Sequence, residues 1–413
     1  MTKNRTLLVP SYMQQFACIG STCEDSCCIG WRVSIDQKTY KKYNKVRDPQ
    51  MKAQLDKYIK RNRNSPTEEN YAKIVLAEDA SCSFLNEEKL CTIQLTLGED
   101  LLSNICTTYP RTSNIINELL EKSATISCPE AARLALLNPN GIEFDEIEED
   151  FSVRNRISKV RNTSDKDVAQ TAQQFLWEFR IFSIQVLQNR NYTLEERLII
   201  LGLFFQKADE YMIAERVQEL PDLMASYTTL IEEGAFREHL ASIPASAAIQ
   251  MKMLKELTDE RVVAGINSQR YMDCFGELLF GLQYDSDSSV EQIAERYSAA
   301  YKNYYAPFMD KHEYILENYL VNYVFKNVFP FGGGFGLFEE YVMLVIHYSM
   351  IKLHLIGMAG FHKEEFNTDH VIKLIQSFAK VVEHNMFFLK NVLELLKKNE
   401  VTTMAYMTIL IKN

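Results

Sequence analysis

The chain has 413 residues, 46% of them hydrophobic and 24% charged, which is ordinary for a globular protein and long enough for two or three domains. Its 45 basic and 55 acidic side chains leave a net charge of −10. That argues against a nucleic-acid binder, which carries a basic footprint.

The opening MTKNRTLLVPSYMQQF has a short apolar run ended by Pro10 and lacks the apolar region and cleavage site of a secretory signal. A cytoplasmic protein with reduced thiols is expected. The next stretch, CIGSTCEDSCCIGW, packs Cys18, Cys23, Cys27 and Cys28 together. Cys82, Cys91, Cys106 and Cys128 follow, so eight of the nine cysteines precede Pro129. A disulfide framework is arithmetically possible, but such frameworks suit small secreted domains. Metal ligation explains the clustering better, because thiolates bind iron–sulfur clusters and zinc. The spacing matches neither a paired zinc ribbon nor a bacterial ferredoxin run. Gly30 also stands where the third cysteine of a Cx3Cx2C motif would fall. Four thiolates suffice for one four-iron cluster, so a subset of the eight is expected to ligate. Cys82, beside an apolar SFL, is open to a buried and inert role.

WRVSI (Trp31–Ile35) and KIVLAED read as strands, and SCSFLNEEKLCTI as a hairpin turning at Asn86–Lys89. LGEDLLSNIC reads as a helix after Gly98. SCPEAARLALL is a helix whose first residue is Pro129 and whose N-cap is Cys128. A helix N-terminus favours a thiolate, which marks Cys128 as a ligand candidate. NPNGIEFDEIEEDF is a turn followed by an acidic run.

Beyond it the chain reads as helical. One stripe joins Val168, Ala172, Phe175, Phe179, Phe182 and Val186, and Thr193 with Glu196 forms a capping box. Further helices are expected over 246–260, 267–282, 289–305, 312–329, 338–359, 368–397 and 402–412. FPFGGGFG (Phe329–Gly336) separates two of them. The apolar run from Tyr341 carries His347, Lys352 and His354, and reads as a buried core helix rather than a membrane span. The expected organisation is α+β, mostly α: a cysteine-rich domain over 1–137, a linker over 138–165 and a helical domain over 166–413.

Three signatures together resemble the flagellin lysine N-methylase (FliB-type) family. They are CIGSTCEDSCCIGWRVSID with TYKKY, CSFLNEEKLCTIQLTLGEDLLSNICTTYPR, and SCPEAARLAL; ENYLVNYVFKNVFPF resembles the family's C-terminal region. The N-terminal part is also similar to zinc- or iron-chelating cysteine-rich domains, through the vicinal cysteine pair, the CxFL segment and Cys106 before Tyr109-Pro110-Arg111. The resemblance implies methyl transfer from S-adenosylmethionine to flagellin lysines. It also implies a 4Fe-4S cluster, with zinc as the alternative, held among Cys18, Cys23, Cys27, Cys28, Cys82, Cys91, Cys106 and Cys128.

The residues can be weighed against that chemistry. FPFGGGFG lacks the preceding strand and following acidic partner of a nucleotide loop, so it reads as a hinge between helices. The donor then binds elsewhere, either at an open iron of the cluster or away from a purely structural cluster. Arg111 is a candidate to clamp a carboxylate or offset cluster charge, and Trp31 to shield the cluster or stack on adenine. Tyr109 is a weaker base candidate. The basic stretch Lys41–Arg63 reads as a solvated helix face or a steering surface for an acidic partner such as flagellin. His347 and His354 read as core histidines, and Cys274 as structural. Two rival functions are a non-catalytic metal or cluster carrier and an iron–sulfur oxidoreductase.

Overall fold

The computed structural model describes residues 4–285 and 288–413. The architecture is α+β and mostly α, with sheets confined to the region before Asn162. The larger sheet comprises β1 (Asn4–Pro10), β2 (Arg111–Ile116), β3 (Leu119–Ala124), β4 (Phe144–Asp150) and β5 (Ile157–Arg161). Their spatial order is β4-β1-β3-β2-β5. β2 and β3 form a hairpin with φ of 49° at Asn117 and 67° at Glu118, the left-handed pair that suits the twist of a two-residue turn. β1 runs parallel to β3 and antiparallel to β4, and β5 parallel to β2.

The 138–165 segment, expected as a linker, therefore carries two strands. Its acidic run is the edge strand β4. Glu149 pairs with Arg5 at 2.8 Å and also with Lys122, so this carboxylate of the run is matched by cations far away in sequence.

A smaller sheet joins Ser34–Ile35, Ala72–Ile74 and Ile59–Arg61, with Ala72–Ile74 in the middle. Of the expected WRVSI strand only its end pairs, although Val33 and Ile35 are both buried. The hairpin turn at Asn86–Lys89 forms as expected, with Lys89 N–H on Asn86 C=O at 3.0 Å and Asn86 N–H on Leu90 C=O at 2.9 Å. The helix expected over LGEDLLSNIC divides into a 3-10 turn (Glu99–Leu101) and a short helix (Asn104–Thr108). Ser103 interrupts it, because its Oγ accepts the Cys106 N–H at 3.2 Å and starts a new helix. In the basic stretch, Lys41, Lys57 and Lys60 are exposed while Tyr43, Met51 and Leu55 face the core of this lobe.

Seven helices matter for the site. α1 (Pro129–Leu136) starts at its Cys128 N-cap. α2 is Leu176–Leu187, and α3 (Leu194–Ile213) opens on the reciprocal Thr193–Glu196 box. α4 is Tyr314–Asn327, α5 is Leu337–His362, α6 is Thr368–Phe378 and α7 is Met386–Lys398. The stripe from Val168 becomes α-helical only at Leu176, after two 3-10 turns. The single helix expected over 368–397 is broken by a π-helical turn (Ala379–Glu383), and Asn385 caps the next helix by accepting the Phe388 N–H at 3.0 Å. Leu220–Glu232 and Arg237–Ser242 are helices that the sequence reading did not contain.

α5 is long and apolar enough to cross a membrane, but its apolar stretch lies wholly inside the fold. The sheet and the helices share one apolar core, in which Tyr12, Ala124, Ile126 and the alanines of α1 pack with α3, α4 and α5. Polar ties cross the same boundary. Tyr12 Oη donates to Asn322 Oδ1 at 2.7 Å and accepts the Ala124 N–H at 3.0 Å. Arg180 of α2 meets Glu121 of β3 at 2.7 Å, both buried.

Candidate active site

The eight N-terminal cysteines come from four places in the chain, 18–28, 82–91, 106 and 128, and the first two stretches meet through their backbones. Cys82 N–H donates to Cys28 C=O at 2.7 Å. Bridges pair Leu76 with Cys82 and Leu85 with Cys91. All nine cysteines are free thiols. Electrostatically, the eight N-terminal ones fall into two groups. A thiolate at Cys28 raises Cys82, Cys91 and Cys106, and Cys91 in turn raises Cys82 and Cys106. A thiolate at Cys18 raises Cys23 and Cys128, which also feels Cys23. Cys27 stands between the groups and feels Cys28, Cys106 and Cys18.

Local hydrogen bonding decides which thiol ionises first. Cys27 S–H donates to Cys28, which raises Cys27 and pulls Cys28 down to about 7. Burial pushes Cys82 up to about 12 and Cys106 to about 11. At Cys128 the Ala131 and Glu130 N–H groups lower the thiol as expected of a helix N-terminus, but burial outweighs them and it rises to about 11. Thiolates grouped this way repel one another, so a whole group ionises only around a cation. The donor chemistry thus suits a thiolate-ligated centre. Among the described residues, no three His, Cys, Asp or Glu side chains are already drawn into a closed metal shell.

Beside the cysteines, a cavity of about 670 Å³ opens between the sheet lobe and the helices. The turn after the Cys106 helix supplies Tyr109 and Pro110, β2 supplies Arg111, and β5 supplies Lys159. Tyr323 and Lys326 come from α4, Glu340 and His347 from α5, and Glu383 and His384 from the π-helical turn and its end. Arg111 therefore lines the cavity, with its guanidinium 5.1 Å from the Phe16 ring. Trp31 lies behind the wall, edge-on to His384 at 4.9 Å and to Tyr109 at 5.9 Å. Asp25 ties the cysteine loop to the same wall, meeting Lys380 at 2.6 Å and Gln376 Nε2 at 2.8 Å.

The lining is rich in perturbed titratable groups. Glu383 is held ionised, down to about 2, because Lys326 at 2.9 Å and the Tyr319 hydroxyl at 2.7 Å outweigh its burial. Burial lifts Glu340 to about 7 and lowers Lys159 to about 8 and His384 to about 4. Lys159 Nζ donates to Asn327 C=O at 2.7 Å, and Ser127 Oγ lies 2.9 Å from His384 Nε2. Tyr109, the weaker base candidate, is pushed further from ionisation by burial.

FPFGGGFG is more than a hinge. Gly332, Gly333 and Phe335 line the cavity, and Glu340 Oε1 accepts the Gly333 N–H at 2.7 Å. That carboxylate takes the N–H a phosphate would need, which agrees with rejecting a nucleotide loop. Glycine is required here, because a Cβ at Gly332 would lie 1.5 Å from Asn327 O. Sequence reasoning missed Glu340, Glu383, Lys326 and Lys159, and gave His347 only a packing role. The one available signal was the Gly-rich interruption between two apolar helices.

The helical region matches the FliB lysine N-methylase C-terminal domain model over residues 180–410. A protein named lysine-N-methylase from Salmonella typhimurium is 23% identical over 400 residues, 94% of each chain, and its Salmonella choleraesuis counterpart matches equally. A flagellar biosynthetic protein FliU from Salmonella muenchen is 32% identical over 147 residues, 35% of this chain and 85% of that protein. No solved structure matches. With more than half its length under the family model, the chain belongs to the FliB lysine N-methylase family.

Proposed function

We propose that this enzyme transfers methyl groups from S-adenosylmethionine to lysine side chains of a flagellar protein, flagellin, inside the cavity that faces α4 and α5. The observation that carries the reading is the cavity itself. It is bounded on one side by the residues following Cys106 and on the other by the region matched to the methylase family. Its volume of about 670 Å³ is in the range of small-molecule sites.

When bound, S-adenosylmethionine supplies a methyl group whose bond to sulfur breaks as the bond to the lysine nitrogen forms, the electron pair remaining on sulfur as a thioether. The chain's residues suit that donor in kind. Arg111 and Arg156 offer guanidinium forks for a carboxylate, while Tyr109, Tyr323 and Phe335 offer ring faces for adenine or a sulfonium. Trp31 acts one layer back, keeping Tyr109 and His384 in position. A 4Fe-4S cluster, or zinc in its stead, would be held by thiolates of one of the two cysteine groups and would lend folding free energy to the N-terminal lobe. Reduced thiols of this kind suit action in the cytoplasm.

The test is anaerobic purification with iron and sulfide analysis, followed by incubation with flagellin and labelled donor. Methyl-lysine on flagellin is the expected product. Zinc without sulfide would overturn the cluster assignment. A labile metal with no donor binding would favour a metal carrier instead.

A further inference from the structure

His347 sits one turn beyond Met343 on α5 and is 1% exposed. Its Nδ1 lies 2.6 Å from Met343 C=O. A carbonyl can only accept, so Nδ1 carries the hydrogen and the neutral ring has a bare lone pair at Nε2. That Nε2 is buried and has no hydrogen-bond partner among the described residues, while the residue lines the cavity. An unpartnered buried acceptor is costly, and this one stands open to a donor entering the cavity.

The charged and titratable groups around it fit a cationic donor. Glu383, from the π-helical turn, favours a protonated ring, whereas Lys326 of α4 and burial oppose it. The balance keeps the imidazole neutral, with a carboxylate close by to stabilise the imidazolium once formed. Tyr323 presents its ring 5.1 Å from the imidazole, and Phe378 closes the far side at 6.2 Å. Lys159 of β5, Glu340 of α5 and His384 complete the titratable lining. Lysine reaches the cavity as an ammonium, because its ordinary pKa is about 10.4, and an ammonium has no lone pair with which to attack a methyl group.

We propose that Nε2 of His347 is the catalytic acceptor of the proton that the substrate's primary ammonium loses before methyl transfer. The proposal rests on the methyl-transfer reading given above. The ammonium N–H bond breaks toward Nε2, giving an imidazolium and a neutral amine. The amine lone pair then forms the N–CH3 bond while the sulfonium S–CH3 bond breaks onto sulfur. The imidazolium afterwards releases its proton to solvent. Each step conserves charge and needs no co-reactant beyond the methyl donor.

The full chain is assayed with flagellin and labelled S-adenosylmethionine, wild type beside His347→Gln. General-base removal is expected to lower kcat on the order of 100-fold or more at pH 7 with donor affinity unchanged. The deficit should shrink as pH approaches 10, where free lysine loses its own proton. A His347→Ala variant should regain rate with added imidazole. The wild-type rate should also fall in acid, at a pH below the ordinary histidine value of about 6.5 because burial lowers this ring, and this arm needs no variant to fold. A variant with wild-type kcat and pH profile, or a wild-type rate with no acid limb while the protein stays folded, overturns the assignment. If the wild type itself methylates no lysine, it is the methyl-transfer reading that fails.

Discussion

At the scale of single residues, the cavity shows how burial and local donors set opposite charge states within one wall. Glu383 and Glu340 are both buried carboxyls. Glu383 has an ammonium and a phenol as partners and stays ionised, whereas burial lifts Glu340 to about 7 because its backbone N–H partners offset that burial only in part. The sign of the pH effect at Glu340 follows. Between the unfolded value near 4.5 and the folded value of about 7, the native state holds a proton that the unfolded chain has lost. The resulting stabilisation is complete below about pH 4.5 and is lost as pH rises through 7, a difference of at most about 3 kcal/mol. Glu340→Gln cannot ionise, and its Oε1 can still accept the Gly333 N–H. Relative to wild type, the variant should therefore gain stability between pH 5 and pH 8, which paired urea midpoints at the two values would measure. A wild-type–variant difference that does not change with pH would refute the assignment of the shift to this residue.

At the scale of elements, helices were legible in the sequence and most strands were not. The α3 start was readable because Thr193 and Glu196 satisfy each other within four residues. β1 was not readable because its parallel partner is distant: Leu7 meets Leu120 across an intervening lobe. β4 read as a solvated linker because its strand partner β1 and the Arg5 and Lys122 side chains that pair with its Glu149 are nowhere near it in the chain. The cysteine clustering was visible as spacing, but the grouping of the thiols depends on contacts distant in sequence, such as Cys82 N–H on Cys28 C=O, which no local pattern records. The cavity suffered most, since its lining is gathered from elements scattered between Ile105 and Leu389 and its π-helical turn looks like continuous helix in sequence. Packing between elements depends on the same long-range pairing. Arg197 of α3 meets Glu317 of α4 at 2.8 Å and Glu313 at 2.7 Å, and also donates to the Tyr192 and Leu187 carbonyls. Arg197→Met strands those carbonyls, leaves Glu313 only the Leu194 N–H at 2.8 Å, and leaves Glu317 only Arg190. It should cost about 3–5 kcal/mol, with Arg197→Met/Glu317→Met costing less than the sum of the single changes. Chemical denaturation of all three variants reads the coupling, and strict additivity would show that the two side chains do not act as a pair.

At the scale of the whole molecule, the cavity exists only because the sheet lobe and the helices are packed as one body. β3 and α1 enter the same apolar core as α3, α4 and α5, and the polar ties at Tyr12 fix the depth at which they sit. Tyr12 Oη both donates to Asn322 and accepts from Ala124, while Asn322 Nδ2 donates to Ala124 C=O at 3.2 Å. Removing the hydroxyl leaves a buried amide N–H and a buried amide oxygen without their partner, and nothing else about the ring changes. Tyr12→Phe should therefore cost about 1–3 kcal/mol through the boundary alone. If the two parts unfold together, the urea midpoint should drop with the slope unchanged, and tryptophan fluorescence and far-ultraviolet dichroism should move in step. Both tryptophans report on the relevant regions, Trp31 beside the cysteine loop and Trp177 on α2. A fluorescence transition that separates from the helical one in the variant would mean that the lobes are independent, and that the cavity can open along this boundary. Coincident transitions would mean that the wall carrying Arg111 and the wall carrying His347 are held in register by the folding of the entire chain.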